Sequence, residues 1–340
     1  MSETDVACPV CGDINRVDTG LSAAVCQSCG AAFAVPMPKD EVTVVDNSRP
    51  EFTIRAGVLE SYGGNAPVVY VPEGVTAIGG QAFKDCTQIH GVVLPEGVTE
   101  IQSAGSGMWG AFFGCTSLET VELPQSLTRI GSNAFGGCAR LAKINIPDGV
   151  TMIGAGAFGG CAELASVKLP KGLRELANDI FRGCVSLTEI KLHGNIKTIG
   201  SYAFADCIGL RALSIPPGVK AIGSYAFSGC NGLTEILLPG TVITLGASAF
   251  SECRNLSVVT VPASIETFEN DGSGVRTFAG CSSLRTVNLG KLPLEFIDIF
   301  ATTPWLDEYL MGQGLCRHCG GHFRGVFKKV CEGCGLQKDY

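Results

Sequence analysis

Ile144-Asn145-Ile146-Pro147-Asp148-Gly149-Val150-Thr151-Met152-Ile153-Gly154-Ala155-Gly156-Ala157-Phe158-Gly159-Gly160-Cys161 is one statement of a phrase that fills most of this chain. Its first three residues alternate apolar, polar, apolar, which is the side-chain period of a half-buried strand. Pro147 presets its φ and Gly149 tolerates φ > 0, so Pro-Asp-Gly reads as a turn. Val150 to Ile153 reads as a second short strand. The compact Ala-Phe-x-x-Cys segment is expected to form a single helical or 3₁₀ turn, with Phe158 and Cys161 on one side.

Working outward, Cys115, Cys138, Cys161, Cys184, Cys207, Cys230 and Cys253 follow one another every 23 residues, and Cys86 and Cys281 extend the series with steps of 29 and 28. A phenylalanine stands three positions before each of these cysteines (Phe83, Phe112, Phe135, Phe158, Phe181, Phe204, Phe227, Phe250 and Phe278), and Leu or Ile stands three positions after. A fixed period of this kind means stacked units, each burying its apolar residues against its neighbours. The fold class expected is a β-rich α/β repeat solenoid of about nine to ten 23-residue repeats. Parallel rungs stack about 4.7–4.9 Å apart, so the phenylalanines should form one internal column. The cysteines beside them read as small apolar residues in a tight corner. Redox or metal chemistry for that column is disfavoured, because the phrase brings no carboxylate or histidine to it.

The phrase L-P-x-G-V-T-x-I-G-x-x-A-F-x-G-C-x-x-L-x-x-I-x-L-P closely resembles the BspA-like leucine-rich repeats across about residues 51–306. Phe52 to Gly64 looks like that family's opening cap, and Ile299 to Leu306 like its truncated last repeat, with Thr303 where the cysteine would stand. The resemblance implies a right-handed superhelix used to bind proteins, often at microbial surfaces.

Eight further cysteines form four C-x-x-C pairs at the two ends: Cys8/Cys11 with Cys26/Cys29, and Cys316/Cys319 with Cys331/Cys334. Each pair is followed by Gly (Gly12, Gly30, Gly320, Gly335), which lets the knuckle take φ > 0 and aim N–H groups at sulfur. Two knuckles supply four thiolates, a tetrahedral set for Zn²⁺. Each module therefore resembles a small β zinc ribbon, giving two structural zincs per chain with no open coordination position for catalysis. Paired disulfides are the competing reading and would need an oxidising compartment. His318 and His322 are superfluous as ligands beside complete Cys₄ sets. The organisation expected is a ribbon at 1–35, a Pro-containing linker at 36–50, the solenoid at 51–306 and a second ribbon at 312–340.

Net charge is −7 with a pI near 5.2, which argues against a scaffold for nucleic acid or membrane surfaces as a whole. Residues 316–340 carry five Lys or Arg against Glu332 and Asp339, hence +3, leaving −10 elsewhere. Phe323 and Phe327 among Arg324, Lys328 and Lys329 admit a nucleic-acid reading of that ribbon, but a solvated basic face around a small apolar core explains the same residues and is favoured. No apolar run approaches the roughly 18 residues of a membrane span. The first residues lack the basic and apolar regions of a signal peptide, so a reducing cytoplasm is expected.

Gly105-Ser106-Gly107-Met108-Trp109-Gly110 matches G-x-G-x-x-G but lacks the surrounding βαβ unit, so a nucleotide site is rejected. It lies in an insertion whose Met108 and Trp109 are candidate partner contacts, unless the Trp folds back onto the solenoid. A second insertion, Glu269 to Arg276, occupies the equivalent place, so both loops should project from one side. The middle residues of the main strands are Val93, Glu122, Asn145, Lys168, Lys191, Ser214, Leu237, Thr260 and Asn288. They should line one face, either a binding surface or a solvated one. Only four histidines exist, and His193, in the turn-proline position, is expected to be exposed. No catalytic constellation emerges. The sequence thus favours a non-enzymatic protein-binding scaffold; the alternatives are a nucleic-acid-associated factor and a leaderless cell-surface adhesin.

Overall fold

A computed structural model of the chain describes residues 3–7, 14–18, 23–26, 28, 32–34, 51–105, 108–269, 276–289, 299–313, 323–324 and 330–331. The phrase coils into a β-solenoid in which each repeat adds one turn. Two strand ladders run along it. The main ladder includes Val68–Tyr70, Gly91–Val93 and Thr120–Glu122, then Lys143–Ile144, Ser166–Val167 and Glu189–Ile190, and finally Glu235–Leu237, Val258–Val261 and Thr286–Leu289. The second ladder includes Arg129–Ile130, Met152–Ile153, Glu175–Leu176 and Thr198–Ile199. Where they pair, the strands run parallel and join equivalent residues of adjacent repeats: Lys143 opposite Ser166, Ser166 opposite Glu189, Ile130 opposite Ile153. The strands are shorter than the alternation implies, because the Pro and Asp-Gly turn at 147–149 interrupts pairing.

The third wall differs from the helical or 3₁₀ turn expected of Ala-Phe-x-x-Cys. The N–H of nearly every repeat cysteine does bond the carbonyl of the phenylalanine three residues earlier, as Cys138 does to Phe135 at 3.2 Å. Yet the residue just before every cysteine, and before Thr303, has φ between 56° and 76°. That left-handed residue makes a tight β-turn and prevents helical continuation. Glycine fills it in Gly114, Gly137, Gly160, Gly183, Gly229 and Gly280; Asp85, Asp206, Glu252 and Thr302 accept the strain elsewhere. Inter-turn hydrogen bonds tie this wall together too, among them Phe135 N–H to Ala157 O and Gly137 N–H to Gly159 O.

Inside, Phe83 to Phe278 continue into Phe300, and all ten rings are fully buried. Successive rings stack at 4.8–5.7 Å with interplanar angles of at most 22°. Both ends of the column are sealed by other aromatics. Strand β5 (Phe52–Arg55) folds antiparallel onto β6 (Val58–Tyr62), and Tyr62 lies 5.3 Å from Phe83. β1 to β4 precede these (Glu3–Ala7, Ile14–Asp18, Ala23–Val25 and Ala32–Ala34), paired as two antiparallel hairpins.

At the far end the cysteine position holds Thr303. Its side chain accepts from Leu306 N–H and starts helix α1 (Pro304–Gly312), with Pro304 where a missing N–H is harmless. Trp305 then caps Phe300 edge-on at 4.7 Å, and Tyr309 packs on Trp305. Thr303 thus ends the stack by replacing a turn with a helix. Among the described residues no helix is long and apolar enough to cross a membrane.

Candidate functional site

The cysteine column carries no exposed chemistry. From Cys115 to Cys281 each thiol is buried and donates to the carbonyl of the phenylalanine in the preceding turn, at 2.9–3.2 Å. From Phe83 to Phe227 that carbonyl already accepts one backbone N–H, so the thiol satisfies its second lone pair. Burial pushes Cys115 and Cys207 up to about 12 and holds Cys138, Cys161, Cys184 and Cys230 well above the ordinary thiol value. Thiols kept neutral in this way are neither nucleophiles nor metal ligands. No disulfide joins the nine repeat cysteines.

The outer surface carries the candidate residues. Glu122, Asn145, Lys168, Lys191, Ser214, Leu237 and Asn288 are exposed, and Val93 and Thr260 are half-exposed. They fall in register where pairing is continuous: Glu122 opposite Val93, Leu237 opposite Thr260, Thr260 opposite Asn288. Leu237, at 66% exposure, is the large apolar side chain of this row. Lys168 pairs with Asp148 at 3.1 Å, and Asn288 donates to Thr260 at 3.2 Å.

The first insertion divides its two candidates. Trp109 folds back: its ring meets Phe113 edge-on at 4.8 Å, and Lys84 Nζ sits 4.7 Å above it. Met108 remains 62% exposed. Gly110 pairs with Ser103 across the base of the loop, and a Cβ there would meet Asn133 O at 2.1 Å. Close backbone approach therefore accounts for this glycine of the G-x-G-x-x-G match. In the second insertion, Glu269 accepts from Ser224 Oγ at 3.1 Å; residues 270–275, and with them the expected projection of both loops from one side, lie outside the described residues.

His193 is not the exposed turn residue expected. It is half-buried, its Nε2 donates to Pro170 O at 2.9 Å, and its Nδ1 is buried without a partner. Periodic reading also missed a stack of Tyr202 on Tyr225 at 4.8 Å beneath the Arg182 guanidinium. It further missed a shallow groove of about 620 Å³ between Ile208, Arg211, Asn231 and Asn255. The groove's floor is low because Gly209 and Gly232 hug the preceding turn, where a Cβ would meet carbonyl oxygens at 2.5 Å.

For the terminal cysteines, chain order is informative. Cys8 and Cys11 fall between the paired strands β1 and β2, Cys26 follows β3, and Cys29 precedes β4. Near the other end Phe323–Arg324 pairs antiparallel with Val330–Cys331. Cys26 is buried, and the Asn15 side-chain amide donates to its sulfur at 3.5 Å. Cys8, Cys11, Cys29, Cys316, Cys319 and Cys334 lie outside the described residues, as do the side chain of Cys331 and the pair His318 and His322. Among the described residues no three metal-binding side chains cluster.

Comparison with known proteins agrees with this architecture. A family model for the BspA type leucine rich repeat region, in six copies, matches residues 62–184, 108–211 and 197–301. A crystal structure of a leucine-rich repeat protein from Bacteroides ovatus is 25% identical, with a TM-score of 0.59, covering 85% of this chain and 75% of that one. A leucine rich cell surface protein from Faecalibacterium prausnitzii is 22% identical, with a TM-score of 0.44, covering 73% of this chain and 95% of its own. No curated protein matches the chain. With the matched segments spanning residues 62 to 301 of 340, the chain belongs to the BspA-type leucine-rich repeat family.

Proposed function

We propose that this protein is a non-enzymatic scaffold that binds a protein partner along the main strand face, from Glu122 through Asn145, Lys168, Lys191, Ser214, Leu237 and Thr260 to Asn288, with Met108 as a secondary contact. The observation that carries this reading is the division of the molecule. The repeat thiols from Cys115 to Cys281 are sealed inside, while exposed side chains stand in register on a stacked frame. Such faces bind through many spaced contacts. A right-handed coil is the hand expected of parallel strand–connection–strand units. To test the reading, the full chain captures its partner from native extract, and Leu237→Glu with Thr260→Glu is compared. Loss of that partner with an unchanged melting curve supports the strand face; undiminished capture overturns it.

The terminal modules at 1–35 and 312–340, joined on one side by the linker 36–50, are read as ribbons, each holding one structural Zn²⁺. The ligands would be Cys8, Cys11, Cys26 and Cys29 in one, and Cys316, Cys319, Cys331 and Cys334 in the other. Knuckles beside antiparallel hairpins and an amide aimed at the Cys26 sulfur suit that donor set. Zinc would supply the folding energy that such short modules lack. Free thiols of this kind persist in a reducing compartment, and the cytoplasm is the location proposed. Elemental analysis should return two zinc per chain; a value near zero under reducing conditions removes the ribbons from the account.

A further inference from the structure

About half of the cations on the described solenoid have a carboxylate partner, Lys168 with Asp148 among them. Arg55 pairs with Glu60, Lys84 with Asp85, Arg129 with Glu100, Arg140 with Glu119, Arg182 with Asp179, Arg254 with Glu252 and Arg285 with Glu308. Among those without one, three stack in register. Arg174, Lys197 and Lys220 stand at the same position of three successive turns, at the entry to the second strand, and all are exposed. Lys197 N–H bonds Arg174 O at 2.7 Å and Lys220 N–H bonds Lys197 O at 2.8 Å, so the three side chains leave the backbone one rung apart. None makes an ion pair with a described residue, although Glu175 and Glu189 are near in sequence. Like charges directly opposite on neighbouring strands repel. This chain nevertheless stacks three of them, with Lys171 and Lys191 close by in sequence and also without an ion-pair partner among the described residues, in a molecule of net charge −7.

The row continues in register to Ile243 and then Glu266, whose N–H groups bond Lys220 O at 2.8 Å and Ile243 O at 2.9 Å. Ile243 is 37% exposed. We propose that this row, Arg174–Lys197–Lys220–Ile243–Glu266, docks an acidic peptide segment of a partner protein: a run of carboxylates set on the three cations, followed by an apolar residue on Ile243 and a basic one near Glu266. A nucleic acid suits the row poorly. The cationic stretch is only three rungs long and runs into Glu266, and no aromatic side chain lies in it on which a base could stack. The inference names the chemistry of one partner contact and rests on the scaffold reading, but uses the edge beside the strand face.

The test uses the full chain and a fluorescein-labelled peptide of six glutamates followed by leucine and lysine, read by anisotropy at low salt. Saturable binding that weakens as salt rises is expected. The triple variant R174E/K197E/K220E should bind roughly ten-fold more weakly or worse. The triple glutamine variant should show a smaller loss in the same direction, which keeps the test valid if the charge reversal impairs folding. Arg254→Glu, an ion-paired cation elsewhere, should leave binding unchanged. Leu237→Glu should also leave it unchanged, which separates this edge from the strand face. Equal affinity of the wild type and both triple variants overturns the proposal. So does single-stranded oligothymidylate binding as tightly through the same three residues, which would make the row a nucleic-acid contact.

Discussion

Phe181→Ala is expected to lower the stability of the solenoid by about 3–5 kcal/mol in chemical denaturation, the range for emptying a filled aromatic core site. Phe181 is fully buried between Phe158 at 5.7 Å and Phe204 at 5.5 Å, so removing its ring breaks two stacking contacts and opens a void in mid-column. Neighbouring turns cannot close that void, because strand ladders on two walls and turn hydrogen bonds on the third fix the rung spacing. A change below about 1 kcal/mol would mean that the column can collapse locally, contrary to close packing.

A second large effect is expected in alkali. Cys115 and Cys207 are pushed up to about 12 by loss of solvation, and Cys138, Cys161, Cys184 and Cys230 are raised well above the usual thiol range by the same cause. Cys253 is raised first by its hydrogen bond with Cys281 and next by burial. In the unfolded chain these thiols lose their protons near pH 8.5. Between that pH and about 12 the unfolded state therefore binds fewer protons than the folded one, and stability falls as pH rises. The contribution is whole below the unfolded value and gone above the folded one. Thiolate absorbance and loss of circular dichroism should rise together within this window. Alkylation of any of these seven cysteines near pH 8.5 with the fold intact, mapped residue by residue, would contradict the burial.

The period, the phenylalanine column and the role of the cysteines were legible because each is a fixed offset between residue types. The conformation of the Phe-to-Cys turn was not. Six of its left-handed positions are glycine, but Asp85, Asp206, Glu252 and Thr302 occupy the same backbone state and disguise the requirement. Helix α1 did leave a signal, since Thr303-Pro304 is an N-cap followed by proline, but the repeat pattern stops at Leu306, within the helix, and carries no helical period beyond it. Trp109 could not be placed from sequence. What holds it is Lys84 and Phe113, and only their positions in space decide between a projecting and a folded ring. His193 turned inward because its ring reaches Pro170 O, a contact across one repeat that no local rule expresses. The row from Arg174 to Lys220 keeps the same 23-residue step as the cysteines, but only three turns carry it, too few for the repeat alone to reveal a site.

The central claim is that stacked turns seal an aromatic and thiol interior from water. It is tested most directly by alkylating the native full-length protein with excess iodoacetamide at neutral pH and mapping each cysteine by mass spectrometry. Cys115, Cys138, Cys161, Cys184, Cys207, Cys230, Cys253 and Cys281 should stay unmodified until denaturant is added, then react together. Alkylation of these cysteines in the native protein, at the rate of the unfolded chain, would contradict the account.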